Sequence, residues 1–297
     1  MLSQCLPTMN DPEGHNVPGF VPSIVDSHVH VFPNELLVAI REWFDEFAWN
    51  IRYKIDCEDI TDFLIHRGVS HVVALHYAHK PGISIQLNDF MVDYCTRHKH
   101  VSGAATVFPG ERRAGKILEK AFDNGLCALK LHAHVQYFDM NSPEMEELYD
   151  VCAQYNKPIV MHVGREPKSP VINYQVDPYL ICKAEKLEQV IAEHPKLKVC
   201  VPHLGADEFE AYAALAEDYD NLWLDTAMAI ADYLPGPKPL SLDRVRSDRL
   251  LYGTDFPNIP YAWDRELKIL CHSGLERDVL RRVLALNAVE LFSLPIL

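Results

Sequence analysis

Short apolar runs and longer amphipathic stretches take turns through most of this chain. The runs fall at residues 23–30 (SIVDSHVH), 69–76 (VSHVVALH), 101–108 (VSGAATVF), 126–134 (LCALKLHAH), 157–164 (KPIVMHVG), 197–205 (LKVCVPHLG), 221–228 (NLWLDTAM) and 248–257 (DRLLYGTDFP). Each has the length of a strand, and most are apolar on both faces, as strands of a parallel sheet are. Between them lie helix-spaced segments such as AGKILEKAFDNG (114–125), PEMEELYDVCAQYN (143–156), DPYLICKAEKLEQVIAEHP (177–195) and DEFEAYAALAEDY (207–219). Several end at Gly, Asn or a nearby Pro, the usual stop signals. Eight such units over about 270 residues predict a (β/α)8 TIM-type barrel, with a doubly wound open sheet as the rival arrangement. The reading is one domain over residues 23–297, preceded by a flexible leader at 1–22. The aromatic stretch 33–60, with Trp43, Phe44, Phe47 and Trp49, reads as an insertion after the first strand. It serves either as a wall of a pocket or as a surface helix packed on the barrel.

Polar residues interrupt the runs at one place, the C-terminal ends of the strands. His28 and His30 end the first run, His76 the second, Lys130, His132 and His134 the fourth, His162 the fifth, His203 the sixth and Asp255 the eighth. In a barrel of this kind those ends carry the active site, and the opposite rim serves stability. By strand alternation Asp26, His28 and His30 share one face, as do Lys130, His132 and His134. Two imidazoles side by side can chelate a metal ion or simply hydrogen-bond. Taken alone, His162 or His203 reads equally well as a core histidine, and Asp255 as a helix cap. Taken together they require several buried polar groups at one rim, each with its own desolvation cost. A single cation relieves that cost for most of them.

Composition narrows the function. Of 297 residues, 48% are apolar and 24% charged, ordinary for a globular protein, and the formal net charge of −14 disfavours a nucleic-acid surface. The eight cysteines are dispersed without a C-x-x-C pair, which suits a reduced, cytoplasmic chain. No apolar segment approaches the roughly 18 residues that a membrane span needs, and the polar, proline-bearing start is not a signal peptide. The expected partner is a small-molecule substrate, with no nucleic acid and no membrane, and a homodimer is the expectation by fold analogy.

The motifs resemble those of the amidohydrolase superfamily, in its branch of small metal-dependent hydrolases and decarboxylases. The resemblance runs from about residue 23 to 294 on DSHVH, ALKLH, MHVG, PHLG and YGTDFP in that order, with LALNAVELFSL matching the family's closing N-A-x-x-L-F segment. It implies a barrel with one divalent metal at the rim, usually zinc, held by His28, His30, His162 and Asp255. Asp255 would also act as general base and acid. His203 would polarise the substrate, or serve as a ligand with Lys130 in a two-ion alternative. His132, His76 and Tyr137 would contact substrate, with Tyr77 and His79 nearby. Arg165 would grip a substrate carboxylate, unless it pairs with Glu166. The implied reaction is metal-dependent hydrolysis of an ester, lactone or amide of a small carboxylated compound. Non-oxidative decarboxylation of an unsaturated or aromatic acid is the alternative. A metal-free lactone or ester hydrolase and a non-catalytic barrel are the remaining rivals.

Overall fold

The computed structural model describes residues 9–21, 23–164, 177–233 and 242–295. Its strands are β1 (Val25–His30), β2 (His71–Leu75), β3 (Val101–Ala105), β4 (Ala128–His132), β5 (Ile159–His162), β6 (Val199–Val201), β7 (Leu222–Asp225) and β8 (Leu250–Leu251). They pair in chain order, every neighbour parallel. The ring closes between the last strand and the first. The Ser27 N–H donates to the Tyr252 carbonyl at 3.0 Å, the Asp255 N–H to the His28 carbonyl at 2.9 Å, and the His30 N–H to the Phe256 carbonyl at 2.7 Å. That closure makes the sheet a TIM barrel and disposes of the open-sheet rival.

The helices form where the sequence places an apolar stripe. In Ala114–Asp123, Ala114, Leu118, Ala121 and Phe122 are buried against the barrel. Pro143–Tyr155 opens on a proline at its first turn and ends at Asn156, whose φ of 53° is the left-handed stop. Side chains from this layer and the outer strand faces form the main core. A second apolar cluster joins Val25, Val73, Ala128, Val160 and Leu251 to Ala288, Leu291 and Phe292 of the helix Asn287–Phe292. It packs the barrel interior beneath the strand ends that carry the histidines, so the polar groups sit on an apolar base.

The leader differs from the sequence reading in an instructive way. The described part of the leader is tied down: Asp11 accepts from Arg265 Nη1 at 2.9 Å, Glu13 from Tyr53 Oη at 2.5 Å, and the Gly14 carbonyl from Trp263 Nε1 at 3.1 Å. Composition alone looks loose there because its partners lie some 40 to 250 positions away. The aromatic insertion forms two helices, Asn34–Phe47 and Cys57–His66. Among the described residues, no helix is long and apolar enough to cross a membrane.

Candidate active site

The site is assembled where β1 meets β8. Alternation along β1 breaks at a register irregularity between Asp26 and Val29. Val25 packs in the inner cluster, and Asp26, expected beside the two imidazoles, binds Thr254 instead. Its carboxyl accepts from Thr254 Oγ1 at 2.6 Å and from the Thr254 N–H at 3.1 Å. Burial pushes this carboxyl up to about 7, against those hydrogen bonds. The clamp holds the β8 loop against β1, which sets Asp255 opposite the histidines. Gly253 is needed for the approach: a Cβ there would lie 2.8 Å from the His28 Cβ.

His28, His30 and Asp255 come together as a buried group whose ligand atoms all lie within 4.8 Å of one another. Asp255 Oδ1 is 3.2 Å from His28 Nε2 and 3.0 Å from His30 Nε2. Burial works to raise the Asp255 carboxyl, but His30, His28 and His203 outweigh it and hold the group well below the usual carboxylate range. Burial drives His28 the other way, to well below the usual imidazole value, with Lys130 adding to the effect. A neutral imidazole has one N–H, and the Asp225 carboxylate takes it, 2.8 Å from His28 Nδ1. The lone pair is left on Nε2, facing Asp255. This is how metal-binding histidines are oriented, and the donor set of two imidazoles and one carboxylate fits a divalent cation.

Asp225 also reaches the next histidine. Its Oδ1 accepts the backbone N–H of His203 and of Ala227, each at 3.0 Å. Burial raises its pKa, while His203 and Lys130 oppose the rise. His203 donates Nδ1–H to the Ala227 carbonyl at 2.7 Å, because a carbonyl can only accept, and its Nε2 lies 3.1 Å from His162 Nδ1. His203 (φ 57°), Asp255 (φ 67°) and Met228 (φ 55°) all hold left-handed backbone. Such conformations cost about 1–3 kcal/mol each for non-glycine residues and persist where surroundings dictate them.

Above this floor lies a small pocket, about 70 Å³ in volume. Trp43, Phe44, Trp49 and Tyr77 make an aromatic wall, while His30, His132, His162, His203 and Asp255 make the polar side. Among the described lining residues there is no lysine or arginine.

The other expected site residues fall as follows. His162 lies beside the metal-capable group and outside it, stacked on His132 with ring centres 4.0 Å apart. His132 lines the pocket. His134 is not on the strand face with it: β4 ends at His132, a helical turn Ala133–Gln136 follows, and His134 Nε2 meets the Gly164 carbonyl. His76 is fully buried against Phe32, away from the pocket, and burial drops its pKa to about 3. Tyr137 is half exposed and lines a separate groove with His79. Lys130 lies buried on β4 near Asp225 and Asp255. Burial lowers it to about 8, the two carboxylates pulling the other way. Arg165 lies outside the described residues. Asp225 and Asn258 were not anticipated, although Asp225 ends its strand just as the flagged histidines end theirs.

The family model described as Amidohydrolase matches residues 25–294. The chain belongs to the amidohydrolase family. Within it, the barrel resembles a manganese-bound 5-carboxyvanillate decarboxylase from Novosphingobium aromaticivorans, with 13% identity, TM-score 0.67, and coverage of 95% of this chain and 100% of that one. A 2,6-dihydroxybenzoate decarboxylase complexed with 2,6-dihydroxybenzoate aligns at 15% identity and TM-score 0.64, over 92% and 99% of the two chains. A probable 2-pyrone-4,6-dicarboxylic acid hydrolase from Acinetobacter baumannii, with citric acid bound, gives 15%, TM-score 0.59, and coverage of 92% and 100%. At these identities the likeness establishes the fold. No curated protein matches the chain.

Proposed function

We propose that this amidohydrolase-family enzyme is a metal-dependent non-oxidative decarboxylase of a small aromatic or otherwise unsaturated acid. The observation that carries the reading is the pocket itself: four aromatic side chains, Trp43, Phe44, Trp49 and Tyr77, line it together with His30 and Asp255. A planar, apolar ring is the ligand that such a wall rewards, because it buries without stranding polar atoms. With no lysine or arginine among the described lining residues, a cation is the natural counter-charge for an acid, and His28, His30 and Asp255 are arranged to hold one. When bound, zinc or manganese there supplies Lewis acidity to a substrate carboxylate or to water.

The remaining tasks fall to the chain. Asp225 fixes the His28 ring so that Nε2 points into the site. Asp255, ionised and 3.0 Å from His30, is placed to accept and return a proton. The ring carbon that loses CO2 must gain a proton, which solvent supplies in the end. His203, lining the pocket with its Nδ1–H held on the Ala227 carbonyl, is positioned to pass it on from Nε2 once that nitrogen has taken it up.

Hydrolysis is the second reading, supported by the similar pyrone-dicarboxylic acid hydrolase fold and by the same Asp255, which could equally activate water. One experiment separates them. Protein loaded with zinc or manganese is offered hydroxybenzoic and enoic acids, then lactones and aryl esters, with CO2 and acid release followed together. Equimolar CO2, abolished by chelation, is expected. Acid release without CO2 moves the assignment to hydrolysis, and neither product from a metal-loaded sample sinks both.

A further inference from the structure

The pocket as it stands is too small for the ligand that its wall suits. About 70 Å³ holds a handful of water molecules, whereas sites that take organic ligands run to about 300–1,000 Å³. A wall therefore has to move before a ring can enter. Most of the walls are pinned. His132 and His162 sit opposite each other on paired strands, the His203 N–H is held by Asp225, the Met228 N–H by Glu266, and the Asn258 N–H by the Asp255 carbonyl. The exception is the helix Asn34–Phe47, which supplies Trp43 and Phe44.

That helix is rich in apolar residues and yet buries only Leu37 and Arg41 over its 14 residues. The helix Ser84–Arg97, of the same length, buries Ser84, Leu87, Asn88, Met91 and Tyr94. Trp43 lines the pocket and is 38% exposed, so it stands at the mouth. Among the described residues, no side chain of the helix hydrogen-bonds to the barrel. Asn34 Oδ1 accepts the Cys57 N–H at 2.8 Å, and Arg41 donates to the Ile55 carbonyl. Asp45 accepts the Ile51 N–H at 3.0 Å and pairs with Lys54. The chain is fixed on either side of the helix. The Val31 N–H donates to the Leu75 carbonyl at 3.0 Å, the Trp49 indole to the Asn258 carbonyl at 2.7 Å, and the Arg52 N–H to the Ile259 carbonyl at 3.0 Å. Firm ends, few buried side chains and only local ties belong to the low-stability end of a fold, from which lids are drawn.

We infer that Asn34–Phe47 is a lid, which swings outward between its fixed ends to admit a planar acid and carries Trp43 and Phe44 out of the wall. Asp45 is the latch that holds it shut. The inference rests on this pocket being the substrate site proposed above.

Two measurements on the full-length, zinc-loaded protein test it. In hydrogen-exchange mass spectrometry, the amides of 34–47 should exchange about 100-fold faster than those of 84–97. Asp45→Ala should speed the first group about ten-fold further and leave the second unchanged. The other measurement follows zinc extraction by pyridine-2,6-dicarboxylate, a planar aromatic diacid that has to pass the lid. Asp45 does not line the pocket, so Asp45→Ala should speed extraction about ten-fold while equilibrium zinc affinity stays within about two-fold of native. A faster rate at constant affinity marks a gate, because a generally loosened site would also lose affinity. Equal exchange in the two helices, no response of 34–47 to Asp45→Ala, an unchanged extraction rate, or an affinity that falls in step with the rate would each overturn the lid. If the variant does not fold, the native exchange comparison decides alone. Protein that takes up no zinc removes the metal reading proposed above, and exchange then decides the lid by itself.

Discussion

Two sides of the barrel mouth carry imidazoles and use them differently. On the side formed by β1 and β6–β8, His28, His30 and His203 are interleaved with two carboxylates, Asp225 and Asp255. On the β4–β5 side, His132 and His162 stack ring on ring with centres 4.0 Å apart. Burial drives His28 on the first side and His162 on the second well below the usual imidazole value, with Lys130 adding to the effect at His28 and His132 and His203 at His162. Asp225 and Asp255 place negative charge on the first side. A carboxylate orients an imidazole and attracts a cation, whereas stacked neutral rings offer a surface for a flat ligand.

Breaking the charged side should have the largest effect. Asp255→Ala removes the carboxylate of the metal-capable group, so metal content should fall from about one ion per chain towards zero, with activity down at least about a thousand-fold. Elemental analysis and turnover check this together, and retention of both would refute the site. Next comes the support beneath His28. Asp225→Asn keeps the shape but exchanges an anionic acceptor for a neutral one, and should weaken metal affinity about 10–100-fold, measured by competition with a chromophoric chelator.

A third change reaches the same side through packing and pH. Glu266 is buried, accepts from Tyr261 Oη at 2.5 Å and from the Met228 N–H at 3.2 Å, and burial pushes its pKa from 4.5 up to about 8. The folded protein thus keeps a proton that the unfolded chain releases near 4.5. Its contribution to stability is fully present below that value and is lost as pH rises through about 8. Between the two values the loss approaches about 1.4 kcal/mol per pH unit. Urea denaturation at about pH 5 and about pH 9 should show a falloff that Glu266→Gln largely abolishes. The smallest effect belongs to the stacked side. His132→Asn should leave metal content intact and raise KM by roughly three- to ten-fold, since it removes ligand-facing surface and no candidate ligand.

Much of this arrangement was legible in the residues. His28, His30 and Asp255 could be picked out because a polar side chain ending an otherwise apolar strand has few explanations, and barrel topology brings strand ends together. The same rule applied to NLWLD would have found Asp225. It was missed because one aspartate at a strand end reads as an ordinary turn residue until its partners are known. Parity failed twice for a local reason: β1 carries an irregularity that turns Asp26 towards Thr254, and β4 ends early enough that His134 enters a helical turn. His76 satisfied the positional rule and still faces the core, since that rule locates a backbone and leaves the side chain's direction open.

The amino-acid order alone determined the eight-fold alternation, the barrel class and the family's motifs, because these follow from local periodicity and short-range residue identity. Which imidazoles meet a carboxylate, which line a pocket with Trp43, Phe44 and Trp49, and which are lost in the core was decided only by the closed barrel. Those contacts join residues some two hundred positions apart, such as His28 with Asp225 and His30 with Asp255. Their geometry depends on strand register and loop packing, which periodicity does not encode.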